Sequence, residues 1–448
     1  MRKSLLSALL LATGLGVTAP AADASVFIHS DNSDLRNSLN ILSSAGIINT
    51  PMQQWPMPWR ALLLELDTID TARLNQTQQL ALLQVRHYLH NAENGPQTYL
   101  KAEINSETPW INRYGRSIQE RGKLSIARHI KGERFAARIQ INHRWEPFEQ
   151  SHEQTLDGSY LAYNMGDVSV SIDALPLWWG PAQHSSLLMS SNARPIPKLR
   201  LDYSPDFAPI GFNPLHISAF VGYNKTEMAQ QSVSRDMVGL RAATQLNWGI
   251  SAGFSATHQS AVQTAGGIDV PANTMVSFDA RKGWHWGEHH FATYAEVAFD
   301  GQLRDGEHPA FTLGAEWQFN QPLFSDQYLR HTIVAEYTDT ESDRFYQRVN
   351  TPSKPLFYQH YQRNLGSSFA ADSRTLSISY RLFAADGSGW TAQFSHSTLT
   401  DDRSNTQALL ERSQPLFGGL LNIGFDYNDH ERVEQDELGA RLSWEWRF

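Results

Sequence analysis

The 448-residue chain has no cysteine. That excludes disulfides, cysteine metal sites, thiol catalysis and a bacterial lipoprotein anchor, and it suits an exported bacterial protein that needs no covalent staples. Beyond the N-terminus no apolar run is long enough for a transmembrane helix, so a membrane reading requires a barrel of strands. Basic residues are in the minority, 37 Lys and Arg against 46 Asp and Glu, for a net charge of −9. This argues against nucleic acid as a partner. No self-similar period marks a repeat protein, and no Gly-x-Ser-x-Gly marks a hydrolase elbow.

What is present begins with an export signal. Arg2 and Lys3 precede a short apolar stretch at 5–17, and Ala22-Asp23-Ala24 supplies small residues at a cleavage site. Ser25 is the expected new N-terminus. Residues 25–96 read as a small helical segment at the periplasmic side. Ser33 or Asp34 caps a helix carrying Leu35, Leu39 and Leu42, which Gly46 stops. Pro58 suits the first turn of a short helix to Leu66, and Asn75 or Thr77 opens a third, carrying Leu80, Leu83 and Leu89. Three such helices make a small core that needs a surface to dock on.

From Tyr99 the apolar period changes from 3.6 to 2. Phe135, Ala137, Ile139 and Ile141 alternate with polar residues, as do Trp248, Ile250, Ala252, Phe254 and Ala256. The final segment places Leu438, Ala440, Leu442, Trp444, Trp446 and Phe448 on one face and charged or small residues on the other. About eighteen strands can be read over 97–448, which predicts a large antiparallel outer-membrane β-barrel. Connections alternate between short and long. Gly132, Gly166 and Asn247 lie in short ones, and 146–158, 176–197, 259–273 and 340–372 are long. A barrel with tight periplasmic turns and long outer loops gives this alternation, and a soluble sandwich has no reason to. With an even strand count both termini fall on the periplasmic side.

Two loops stand out for chemistry. One runs through Pro176-Leu177-Trp178-Trp179-Gly180-Pro181 to Arg194. Its paired Trp rings suit the C–H faces of sugars, and they equally suit an interfacial girdle or a packed loop. The other, 340–372, mixes Tyr358, Gln359, His360, Tyr361, Asn364 and Asp372, a set suited either to a polyhydroxylated ligand or to a packed lid. If these loops bind a sugar polymer, the residues expected to contact it are Trp178, Trp179, Arg194, Tyr358, Tyr361 and Asp372. His285, His289 and His290 lie beside two Trp residues, but spacing positions no further ligand, and a periplasmic turn with interfacial Trp explains them better than a metal. No cofactor or catalytic residue is indicated.

Three sequence blocks resemble the Wzi capsule-assembly proteins of Gram-negative outer membranes. They are Asp34-Leu35-Arg36-Asn37-x-Leu39 leading through Leu42-Ser43-x-x-Gly46 to Trp55-Pro56; Pro176-x-Trp178-Trp179-Gly180-Pro181 with Ser186-Leu187 and Arg194-Pro195; and, more weakly, Tyr358-Gln359 with Leu365-Gly366. The resemblance implies a barrel of about eighteen strands with a periplasmic helical bundle. It also implies a non-enzymatic, lectin-like role in holding capsular or exopolysaccharide at the cell surface. The partners expected are that polysaccharide, outer-membrane lipid, and the barrel-assembly machinery acting through the strand ending in Phe448. A passive porin and an outer-membrane hydrolase are the alternatives.

Overall fold

The structure is a computed structural model that describes residues 27–94, 98–108, 111–148, 152–205, 214–228, 231–263, 267, 269–300, 308–322, 328–341, 346, 358–369, 372–400, 402–430 and 435–448. The expected export signal lies outside the described residues.

Eighteen antiparallel strands close into one barrel. In order they are β1 (Thr98–Asn105), β2 (Glu120–Lys131), β3 (Phe135–Pro147), β4 (Gln154–Thr155 continuing as Tyr160–Met165), β5 (Val168–Asp173), β6 (Lys198–Tyr203), β7 (Leu215–Met228), β8 (Gln231–Leu246) and β9 (Ile250–Gln259). The second half comprises β10 (Asn273–Trp286), β11 (His289–Asp300), β12 (Ala310–Pro322), β13 (Tyr328–Asp339), β14 (Ser373–Ala384), β15 (Gly389–Leu399), β16 (Ser404–Leu416), β17 (Gly419–His430) and β18 (Gln435–Arg447). β18 pairs back onto β1, with Arg441 opposite Asn105 and Arg447 opposite Tyr99.

Burial is inverted relative to a water-soluble sheet. Ile139, Ile141, Phe278, Leu313, Ile378 and Phe425 stand exposed on the outer wall, while Asn142, Arg144, Asp279, Thr312, Ser377 and Asp426 are buried inside. Such a wall is stable in lipid, where alternate residues face hydrocarbon and lumen. Trp248, Trp286, Phe417 and Phe448 are exposed at the end of the barrel that carries the tight turns, as an interfacial aromatic girdle requires. No described helix is long and apolar enough to cross a membrane. Trp248, read above as the start of a strand, lies in the turn before β9 with φ 69°. The turn displaces it because Ile250 is the first residue to pair with both neighbours, Leu246 and Lys282.

Every connection after an even-numbered strand, together with the approach to β1 and the end of β18, lies at this turn end. The connections after odd strands lie at the other, the loop end. Both long chemistry-bearing segments, which follow β5 and β13, belong to the loop end.

The helices form from their own capping signals. In α1 (Ser33–Ser44) the cap is Asn32, whose Oδ1 accepts from the Leu35 amide at 2.9 Å. It lies one residue before the expected Ser33, because the Asn side chain reaches the N3 donor. α2 is Arg60–Leu66 and α3 is Gln76–Asn94. Asn75 and Gln78 exchange bonds of 2.9 and 3.1 Å at the start of α3, a reciprocal cap. The buried face of α3 is Ala81, Leu82 and Val85; Leu83, expected on it, points to solvent, since it lies about 100° round the helix from Leu82. These helices share one core with Trp55, Met57, Trp59, Tyr114 and Trp178. They bond to inward-facing wall residues: Asn40 to Glu316 at 3.1 Å, Ser44 to Arg281 at 3.1 Å and Ser38 to Arg330 at 2.7 Å. Glu288, in the β10–β11 turn, accepts from Thr77 and Gln76 at 2.8 and 3.3 Å and so anchors the start of α3.

The wall is not of even height. β5 and β6 have 6 residues each, whereas β7 and β8 have 14 and 16. At ~3.3 Å per residue, β5 and β6 reach about 20 Å, so β7 rises above its neighbour. Its pairing with β6 stops at Gly222 opposite Lys198, leaving Tyr223–Met228 beyond the end of β6.

Candidate functional site

Residues 174–197, between β5 and β6, turn into the lumen instead of extending outward. Inward-facing carboxylates on three adjacent strands hold them there. Glu336 on β13 accepts from the Gln183 and His184 amides at 2.5 and 3.0 Å and from the Tyr294 hydroxyl at 2.7 Å. Glu316 on β12 accepts from the Gln183 side chain at 3.0 Å, and Glu296 on β11 accepts from the Leu187 amide at 3.2 Å. Arg36 of α1, 1% exposed, donates to the carbonyls of Pro181 and Ala182 at 2.6 and 3.2 Å. Its guanidinium lies 4.2 Å from the Tyr114 ring centroid. A buried polar group is costly unless bonded, and here the wall carboxylates and Arg36 meet loop amides and carbonyls, while Arg36 Nε, Trp179 Nε1 and the His184 ring nitrogens have no hydrogen-bond partner among the described residues.

The two Trp residues are therefore internal. Trp178 pairs with Trp55 in a two-residue ladder, meets Tyr114 edge-on at 5.4 Å, and donates from Nε1 to Ala182 at 2.8 Å. Trp179 packs on Phe220 at 5.7 Å, in a core that includes Leu187, Tyr346, Tyr358 and Leu365. Both are at most 1% exposed. Tyr358 is also buried, stacked on Tyr346 at 5.6 Å and bonded to Thr257 at 2.9 Å. These three rings brace the plug and offer no face to solvent, the packed-loop alternative weighed for the Trp pair.

The free stretch of β7 is taken up by the second loop. Its hairpin, Gln359–His360 with Arg363–Asn364, lies along it. Asn224 Nδ2 donates to the Gln359 carbonyl at 2.7 Å, the Lys225 amide to His360 Nδ1 at 2.9 Å, and the Tyr361 amide to the Lys225 carbonyl at 2.9 Å. The two turn residues, Tyr361 and Gln362, have φ of 49° and 65°, the twist a two-residue hairpin needs. Tyr361 thus projects at a fixed place and is half-buried. The Arg194 guanidinium lies 4.4 Å from its ring centroid, Lys225 Nζ lies 5.4 Å away, and His152 meets it edge-on at 5.7 Å. Arg194 also pairs with Asp157 at 2.9 and 3.2 Å. Burial, reinforced by the charges of Arg194, Lys225 and Lys198, pushes His360 down to about 3.

Of the six residues expected from sequence, Arg194 and Tyr361 come together at the loop end. Asp372 lies elsewhere on the rim, where Thr400 bonds its carboxylate at 3.3 Å. Sequence reasoning missed Lys225, His152 and Asp157, and the inward carboxylates Glu296, Glu316 and Glu336. Those three are spaced by 20 residues on consecutive strands, and a carboxylate on the lumen parity of each was the available signal. At the turn end, His285 stacks on His290 and His289 accepts from Trp317, and no metal-binding cluster occurs among the described residues.

An eighteen-stranded antiparallel barrel with an apolar outer wall, a charged lumen and its own helices and loops packed inside is an outer-membrane β-barrel. Residues 91–260 match the family described as capsule assembly protein Wzi. A 55.8 kDa protein of the Klebsiella pneumoniae cps region is 24% identical over 200 residues, 44% of this chain and 38% of that protein. The match thus spans well under half of that relative's length. The solved structure of Escherichia coli Wzi, described as a carbohydrate-binding β-barrel involved in group 1 capsule assembly, superposes with a TM-score of 0.78 at 16% identity, covering 95% of this chain and 99% of that one. Pseudomonas aeruginosa OccK2 covers 79% of this chain and 97% of its own at 11% identity, with a TM-score of 0.49.

Proposed function

We propose that this protein is a non-enzymatic outer-membrane barrel that binds and retains capsular or exopolysaccharide at the cell surface. The observation that carries the reading is the filled lumen. With residues 174–197 bonded across the interior and the N-terminal helices packed behind them, the working surface left is the loop end. In the proposed orientation that end faces outward and the helices and tight turns face the periplasm. The strand ending in Phe448 is the proposed handle for the barrel-assembly machinery. Tyr361 and Arg194 are the proposed glycan contacts, with Asp372 a further contact on the rim. Trp178, Trp179 and Tyr358 support them from below.

The E. coli protein supports the reading through its carbohydrate binding, and a packed lumen argues against the porin alternative. The test pairs two measurements on the purified full chain. It should bind polysaccharide extracted from its own envelope and pass little current in planar bilayers. Open-pore conductance without glycan binding would replace this reading with the porin.

A further inference from the structure

We infer that the cluster of Arg194, Tyr361 and Lys225 is a subsite for a carboxylate-bearing sugar, such as a hexuronic acid within the polymer. The inference rests on the glycan-binding reading and names the class of residue the site takes. Three observations carry it.

The first is charge. The chain is net negative, yet Arg194, Lys225 and Arg363 gather round one hairpin tip, with Asp157 the carboxylate paired among them. Asp157 engages Arg194. Lys225, partly exposed, has no ion pair among the described residues, and its Nζ lies 5.4 Å from the Tyr361 ring centroid. An ammonium held beside an aromatic face is a point donor for an incoming anion.

The second is an unmet donor. His360 Nδ1 accepts the Lys225 amide, so the neutral ring carries its proton on Nε2. That atom is buried and has no hydrogen-bond partner among the described residues. An unbonded buried donor is costly, and this one lies beside the cluster, its ring edge-on to Tyr361 at 4.5 Å.

The third is the ring itself. Tyr361 is held half-exposed by backbone bonds to β7, at a turn geometry that residues with side chains rarely adopt. Its free area suits the C–H face of a pyranose. A bare phosphate or lipid headgroup would use the cations and leave the ring idle, so the combination favours a sugar acid.

The test uses the purified full chain in detergent and a panel of glucuronate, galacturonate and mannuronate oligomers, each beside its carboxyl-reduced form. At least one acidic oligomer should bind about tenfold tighter than its reduced counterpart, the scale of one charge-assisted hydrogen bond. Lys225→Gln should remove that preference and Lys225→Arg should keep it, with heat-modifiable gel mobility showing an intact barrel in both. Equal binding of acidic and reduced forms, or an unchanged preference in Lys225→Gln, overturns the subsite and leaves glycan binding standing. Competition by inorganic phosphate or phosphatidylglycerol vesicles as strong as by the sugar acid marks a general anion patch and also overturns it. Failure to bind the extracted envelope polysaccharide at all refutes the underlying reading together with the subsite.

Discussion

Glu336 ties the loop that fills the lumen to the barrel wall. Its carboxylate, 1% exposed, accepts from two consecutive loop amides and from Tyr294. Glu336→Leu fills a similar volume and leaves three buried donors without an acceptor. At ~1–3 kcal/mol per orphaned donor, the cost is about 3 kcal/mol or more before any rescue by water. Local openings of loops lie at the low end of the stability range, so a loss of that size should release residues 183–187 from the wall while the strand ladder survives. Planar-bilayer recordings should then show more current than the native protein passes, and limited proteolysis should cut within 174–197. Glu336→Gln, which keeps one acceptor oxygen, should fall between the two. A Glu336→Leu barrel with the same conductance and protease sensitivity as the native one would refute the idea that this carboxylate seats the loop.

Three further outcomes follow from the packing. Trp178→Ala removes a fully buried ring and should cost ~3–5 kcal/mol, read as loss of the heat-stable gel form, whereas Tyr361→Ala should assemble normally; the reverse pattern would contradict the burial argument. At Gly283 a Cβ would stand 2.6 Å from Ser44 Cα, so Gly283→Val should push the end of α1 off β10 at a cost of about 1–3 kcal/mol, and an unchanged melting temperature would count against close helix–wall contact. His360 titrates about 3 when docked against 6.5 when free. Its folded value is the lower one, so its contribution is complete above pH 6.5 and fades as pH falls toward 3; proteolysis of the 359–364 hairpin should accelerate between pH 7 and 4, and an acid-insensitive hairpin would contradict the docking.

The barrel was readable because its physics is local. A period of two with apolar residues on one parity, broken alternately by short turns and long loops, needs no knowledge of distant contacts, and Leu313 or Phe425 declares its side from its neighbours alone. The direction in which the long loops fold is not local. Trp178-Trp179 has the same letters whether it faces a sugar or a core, and its burial is decided by Glu336, more than 150 residues away. Lys225 was passed over for the same reason. It reads as one polar residue of a strand, and it becomes part of a site only because β6 stops short and a hairpin from between β13 and β14 takes the vacant edge of β7. Arg194 and Tyr361 were found through composition, and their meeting at 4.4 Å could be known only from the fold.

The most direct measurement of the central claim is the partition of polysaccharide between cells and medium in a strain lacking this gene, complemented with the native chain or with Tyr361→Ala. The account predicts that the deletion sheds polymer into the medium with total synthesis unchanged, that the native chain restores it to the surface, and that Tyr361→Ala restores it only in part while reaching the outer membrane in equal amount. Polymer that stays cell-bound in the deletion strain would contradict the account.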